Sequence, residues 1–408
     1  MYSKHKSLAI VVALAVMLLG QAAVSAQENF TQFRVVGHYA YYNIYDDYFV
    51  TDIPVNRLTH VVYEHIDISS NGQCVSRDPY ADVEYLYPGD RSTERVTGNF
   101  KQLAELRETN PDLQIIMSIG GWEASPNFVD VTATDDARIR FVRSCLNFMR
   151  EYDFDGIMID WQHPVSGGSV TGIPADTDNY NLLLADFRGQ LDYWQGEDTA
   201  NYTLAMTVPA TPDLLINYDL AVAATIVDFI SVRSFAFEGS WSEIAGHHAP
   251  LYVSDKDPRD LTVQTDYTVS GAIENILTAG VPSNRIVMGI GFFGQSWQGV
   301  RDNDIFGLYA DNNGVPRNAR DQGILYYNDL TNFFDSDNYV RYFDESARAP
   351  WLYNAGAGIA ISYEDSESVR NKAAYVRQRD LGGVGVWDLS FDDSQHTLVN
   401  EVFTLLNN

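Results

Sequence analysis

The sequence predicts a (β/α)8 TIM barrel with a small α+β insertion subdomain after its seventh strand, and three observations predict it. Eight short, β-rich apolar runs recur at wide intervals along the 408 residues. Amphipathic stretches of helical period fill the gaps between them, and one long segment, at about 298–353, breaks the alternation. Alternating strands and helices build a parallel sheet covered on both faces, and eight such units close it into a barrel.

In chain order, the first 26 residues carry Lys4 and Lys6, an apolar stretch from Leu8 to Leu19, and the small residues Val24-Ser25-Ala26. This is the pattern of a signal peptide cleaved near Ala26, with an apolar part too short for a comfortable membrane span, so a secreted chain is expected. The first two runs, Val35 to Tyr41 and Leu58 to Ile66, precede a helical stretch from Thr97 to Thr109. The third run, Gln114 to Gly120, leads to a helix from Asp135 to Tyr152, and the fourth, Gly156 to Gln162, to one from Thr177 to Tyr193. Then come the fifth run, Tyr202 to Val208, the sixth, Phe229 to Phe235, a helix from Val269 to Ala279, and the seventh run, Ile286 to Phe292. A helix from Ser366 to Arg379 returns the chain to the eighth run, Gly383 to Leu389, so the barrel occupies 34–408. The interrupting segment is rich in Asp, Asn, Tyr and Phe, lacks a helical period and is too long for a simple loop. Its Asp302-Asn-Asp304 and Asp311-Asn-Asn-Gly314 are oxygen-rich but lack calcium-loop spacing, so turns are expected there. No repeat or linker marks a separate binding module.

With 27 Lys and Arg against 55 Asp and Glu, the net charge is −28. Such a surface repels nucleic acid and anionic membranes, and reads as the solvated coat of a soluble chain. Cys74 and Cys145 could form one disulfide. Alternatively Cys145, inside the apolar stretch Phe141 to Phe148, is a buried free thiol. The sequence carries no cofactor motif and no metal-ligand spacing, and Asn29-Phe-Thr31 and Asn201-Tyr-Thr203 are glycosylation sequons.

Reacting groups of a (β/α)8 barrel come from the C-terminal ends of its strands, where every second side chain points inward. On the fourth run this places Met158, Asp160 and Gln162 inward and sends Trp161 to the core behind the strand. A lone inward Asp is, by default, a buried hydrogen-bonded residue. Here several other runs carry motifs of their own.

Ser118-Ile-Gly-Gly-Trp122, Asp155-Gly-Ile-Met-Ile-Asp-Trp-Gln-His-Pro164 and Phe229-Ile-Ser-Val-Arg-Ser-Phe-Ala-Phe-Glu-Gly-Ser-Trp241 stand on the third, fourth and sixth runs. Gly289-Ile-Gly-Phe-Phe-Gly294, Ile361-Ser-Tyr-Glu-Asp365 and Gly382-Gly-Val-Gly-Val-Trp387 follow in order. Together they resemble glycoside hydrolase family 18, the chitinases, from about Arg34 to Phe403. Val165-Ser-Gly-Gly168 and Ala349-Pro-Trp-Leu-Tyr-Asn354 look most like its bacterial-type members. The resemblance implies a mechanism in which a glutamic acid protonates the glycosidic oxygen while the substrate's acetamido group attacks the anomeric carbon. Aspartates on the acid's strand and a Tyr-Asp pair on strand six support that group.

Against that pattern the acid is Gln162, the middle aspartate is Met158, and the strand-six pair is Phe235-Ala236, leaving Asp155 and Asp160 as remnants. A carboxamide cannot act as the acid, which alone costs roughly 10² to 10⁴ in rate. The unsupported intermediate adds several kcal/mol, to order of magnitude. One inactivating change would stop at Gln162; four together point to a change of role, and no catalytic residue is expected. Arg233 replaces the family's usual methionine and is expected to point inward and pair with Asp160. His38 and His65 replace aromatic residues of the pocket floor and are expected to be satisfied histidines rather than metal ligands.

The resemblance assigns Trp387 to the floor of the catalytic subsite and Trp122 to the cleft, where indoles stack on sugar rings. Phe293 and Gln295 replace a tyrosine and an arginine of the motif. The expected ligand-binding set is Trp122, Asp160, Gln162, Arg233 and Trp387, in a degenerate chitinase-like protein that binds chitin or a related oligosaccharide. Two alternatives stand beside it. One is a hydrolase of residual or altered activity using Glu238 or Glu123; the other is a scaffold or inhibitor that binds a protein partner.

Overall fold

The computed structural model describes residues 33–407 except 199, 318, 320 and 335, so the signal peptide and the Asn29 sequon lie outside the described residues. The apolar runs become strands β1 (Arg34–Ala40) and β2 (His60–Ile68), the two-residue β3 (Cys74–Val75), then β4 (Gln114–Gly120) and β5 (Gly156–Asp160). They continue as β6 (Thr203–Val208), β7 (Phe229–Val232) and β8 (Ile286–Gly291). Strands β9 (Phe293–Gln298), β10 (Ile324–Tyr326), β11 (Val340–Asp344), β12 (Ala349–Asn354) and β13 (Ile359–Ser362) follow, and β14 (Gly383–Trp387) ends the series. β1 pairs in parallel with both β2 and β14, which closes β1, β2, β4 to β8 and β14 into an eight-stranded barrel.

Strand period sorts the interior into layers. Val36, Val62, Ile116, Met158, Ala205, Phe229 and Val287 pack into one buried apolar cluster. Two residues further along the strands the inward positions turn polar: His38, Glu64, Ser118, Asp160, Thr207 and Ser231, all buried. Met158 therefore belongs to the apolar plug beneath the mouth, and the polar layer above it is where chemistry would sit. Gly120 (φ 116°) and Gly121 (φ 72°) let β4 end against neighbours that leave no room for a Cβ. A Cβ on Gly120 would run into the Asp160 carbonyl, and one on Gly121 would stand 2.8 Å from the His65 ring.

Strands and helices fall where the periodicity placed them, with end corrections that matter for the site. The fourth run was expected to reach Gln162, but β5 stops at Asp160 because the Gln162 N–H turns to the Ser125 hydroxyl (2.6 Å). The sixth was expected to reach Phe235, but β7 stops at Val232, and Ala236 adopts a left-handed backbone (φ 57°). Gln162, Arg233 and Phe235 are thus mouth residues rather than strand residues.

The insertion is larger than 298–353. β9 follows β8 after the single residue Phe292, and an antiparallel sheet of order β10-β9-β13-β12-β11 runs from Phe293 to Ser362. Most side chains of β9 are buried, which removes the polar–apolar alternation that would have marked a new strand. The insertion also contains a helix, Tyr327–Phe334, where the sequence showed no clear period. The oxygen-rich turns bond to backbone: Asn303 Oδ1 accepts from Gly307 N at 2.7 Å, and Asn312 Oδ1 from Gly314 N at 2.8 Å. Cys74 and Cys145 form a disulfide, which overturns the free-thiol alternative and ties β3 to the helix Asp135–Glu151. Neighbouring helical residues did not show that Cys145 faces β3.

Candidate functional site

The mouth is organised around one carboxylate. Asp160 Oδ2 accepts from Gln162 Nε2 at 2.7 Å and from Arg233 Nη2 at 2.5 Å, and His65 Nε2 stands 3.3 Å away. Burial opposes the charge on Asp160, yet the Arg233 guanidinium and His65 hold its carboxyl below the ordinary range. Arg233 reaches inward as the sequence implied, with its side chain 30% exposed toward the mouth. Asp160 Oδ1 and the Ser118 hydroxyl are both buried and have no hydrogen-bond partner among the described residues.

A second carboxylate, Glu64, is not among the residues the sequence singles out. It is buried on β2, accepts from His38 Nδ1 at 2.6 Å and from the Trp387 indole N–H at 3.1 Å, and lies 3.6 Å from His65 Nε2. Burial alone would raise its pKa, but His65, His38 and Arg233 draw it far below the carboxylate range. An ionised carboxylate only accepts, so the proton of this pair sits on His38 Nδ1. Counting in twos from Val62 would have found Glu64, because a charge on an inward position must have partners. Among the described residues no group of three or more His, Cys, Asp or Glu side chains is arranged to hold a metal ion.

Trp387 is boxed rather than open. Phe235 lies parallel to it (6.1 Å between centroids, 16°), and Phe293 and Phe391 meet it edge-on at 5.9 and 5.3 Å. The cavity lined by His38, Glu64, Arg233, Phe235 and Trp387 measures about 20 Å³, room for about one water and far less than a pyranose.

The other candidates scatter. Asp155 lies at the opposite end of β5, where its carboxylate accepts from Arg107 (2.6 Å) and from Ile115 N (2.7 Å), so this remnant is structural. Trp122, on the turn after β4, is 51% exposed; Trp241, which the sequence reading did not single out, is 61% exposed. Trp161 is core, stacked 5.1 Å from Phe128. Glu123 pairs with Arg77 and the buried Glu238 with Arg259, so both alternative acids are already bound to cations. Gln295 is buried within β9. His163 hydrogen-bonds the Tyr218 hydroxyl at 3.1 Å, and burial together with Arg233 lowers its pKa to about 4.

A closed eight-stranded parallel barrel, with an α+β insertion after the seventh barrel strand and its polar side chains gathered at the C-terminal mouth, defines a (β/α)8 barrel with its candidate site at that mouth. Residues 34–392 match the profile of glycosyl hydrolases family 18, and the chain belongs to that family. It is 33% identical over 405 residues to Chitinase A1 of Niallia circulans, covering 91% of this chain and 58% of that relative's length. Among solved structures it is similar to chitinase ChiA74 from Bacillus thuringiensis, with a TM-score of 0.85, 29% identity, and coverage of 91% of this chain and 70% of that one. It also resembles the Group IV chitinase of Ostrinia furnacalis in complex with allosamidin (TM-score 0.80, 27% identity, 91% and 98% covered).

Proposed function

We propose that this chain is an exported, chitinase-like pseudoenzyme that binds a chitin-type oligosaccharide across its barrel mouth without hydrolysing it. The observation that carries the reading is that Gln162 and Arg233 both donate to the same oxygen of Asp160, so the acid's position is spent on an internal contact. No nearby group makes good the loss. Asp160 and Glu64 are held ionised, His163 is neutral at pH 7, and His65 turns Nε2 to the two carboxylates. Among the described residues the mouth therefore offers no carboxylic acid to protonate a leaving oxygen.

Binding is the better-supported half of the family's chemistry. Membership of family 18 favours a carbohydrate, and the exposed indoles of Trp122 and Trp241 offer faces on which sugar rings stack. The small cavity beneath Trp387 argues that rings rest on the mouth rather than descend into it. A disulfide fits an oxidising compartment and so supports export. The test pairs two measurements on chitotetraose. Tryptophan fluorescence should respond to the sugar and lose most of the response in Trp122→Ala, while a chromogenic chito-oligosaccharide should show no turnover. Turnover abolished by Glu238→Ala would refute the pseudoenzyme, and silence in both assays would refute carbohydrate binding and favour a protein partner.

A further inference from the structure

A second recess, of about 300 Å³, lies between the insertion and the start of the helix Ser366–Gln378, and it shares no lining residue with the barrel cavity. Tyr327, Phe334, Tyr339, Leu352 and Tyr363 make its apolar surface, and Arg341 stands at its charged edge. Leu352 and Tyr363 form a buried base, each 1% exposed, whereas the large ring of Phe334 is left 39% exposed, 5.6 Å from the Tyr363 ring. Tyr363 brings a polar atom into this aromatic wall. Its hydroxyl is buried and makes no hydrogen bond of good geometry, although the Arg341 guanidinium lies near it. A buried hydroxyl without a partner is uncommon and calls for an explanation.

The charged edge is internally paired. Arg341 donates through Nε and Nη2 to Asp365 Oδ2 (2.9 and 2.7 Å) and through Nη2 to Glu367 (2.8 Å), while Asp365 also caps the following helix. Arg341 answers both Asp365 and Glu367, and Arg370, the other arginine of the lining, donates to Glu401 (2.7 Å), so the charges at the edge are already paired and the recess favours neither an anion nor a cation. Aromatic faces, one inward hydroxyl and a fixed guanidinium–carboxylate pair suit a ring with an apolar C–H face and equatorial hydroxyls.

We propose that this recess is a second carbohydrate site, taking one pyranose of a neutral oligosaccharide against Phe334 with a ring hydroxyl bonded to Tyr363. It does not rest on the reading of the barrel mouth. Calorimetric titration with chitotetraose and with cellotetraose tests it, using wild type, Trp122→Ala, Phe334→Ala and Tyr363→Phe. Phe334 is exposed, so its replacement should leave the fold intact, and Tyr363→Phe removes only the unpartnered oxygen and should not lower the melting temperature. Binding that survives Trp122→Ala, and weakens at least tenfold in Phe334→Ala and several-fold in Tyr363→Phe, is the expected result. Binding lost in Trp122→Ala but untouched by Phe334→Ala would overturn the recess while leaving the mouth reading intact, and no binding of either sugar in the Trp122→Ala protein would also overturn it.

Discussion

Replacing Arg233 by Met, which restores the residue type usual in the family, should destabilise this chain. Asp160 is 1% exposed and would keep only Gln162 and His65 as partners. Breaking a fully buried pair costs about 3–5 kcal/mol. The partial exposure of Arg233 and the two remaining contacts reduce this to about 2–3 kcal/mol at pH 7. For a barrel of this size, with an unfolding entropy near 0.8 kcal/mol/K, the melting temperature should fall by about 3 °C. The pH dependence carries the sign. In the wild type Asp160 titrates below its unfolded value, so its contribution is present above about pH 4 and is lost only as pH falls through the folded value. Without Arg233, burial raises the folded value, the penalty exists at neutral pH, and protonation relieves it. Thermal melts of both proteins at pH 7 and pH 3.5 should therefore show the gap narrowing on acidification, and Arg233→Met should cost little in an Asp160→Asn background. A gap that ignores pH, or an equal cost in that background, would refute the pairing as the source of stability.

Gln162→Glu should leave hydrolysis of a chromogenic chito-oligosaccharide near zero, because Met158, Phe235 and Ala236 still provide no support for the acetamido group; recovery of family-like turnover would show that one residue had silenced the site. Reducing the Cys74–Cys145 disulfide reopens a loop of 71 residues and should lower stability by about 4 kcal/mol, read as a fall in melting temperature with reductant that is absent in Cys145→Ala. Burial raises Asp388 to about 6, opposed by hydrogen bonds from Ser390 and Asn43. A folded value above the unfolded one favours the fold below about pH 4, and that contribution is lost as pH rises through 6, so Asp388→Asn should flatten the melting profile between pH 4 and 7 by on the order of 3 kcal/mol.

Much of the site was legible because a strand has a period of two and a barrel uses only its C-terminal rim. The inward row Met158, Asp160, Gln162 and the inward reach of Arg233 follow from counting. The same count applied to β2 places Glu64 inward two residues after Val62, although no family motif covers that strand. The extent of the insertion was illegible for a different reason. β9 is buried on both faces, so its sequence has no alternation to announce a new strand.

By itself the sequence determined the barrel and the order of its strands, since both depend on local period, and it put a carboxamide, Gln162, where the family resemblance implies an acid. Only the tertiary structure decided that Cys74 meets Cys145, that Asp155 is structural, and that Trp387 is enclosed by Phe235, Phe293 and Phe391. Apart from the local Trp387–Phe391 contact, those are contacts between residues tens to hundreds of positions apart, set by barrel closure and the docking of side chains from different strands. Periodicity along one segment carries no information about which distant side chain fills the space opposite.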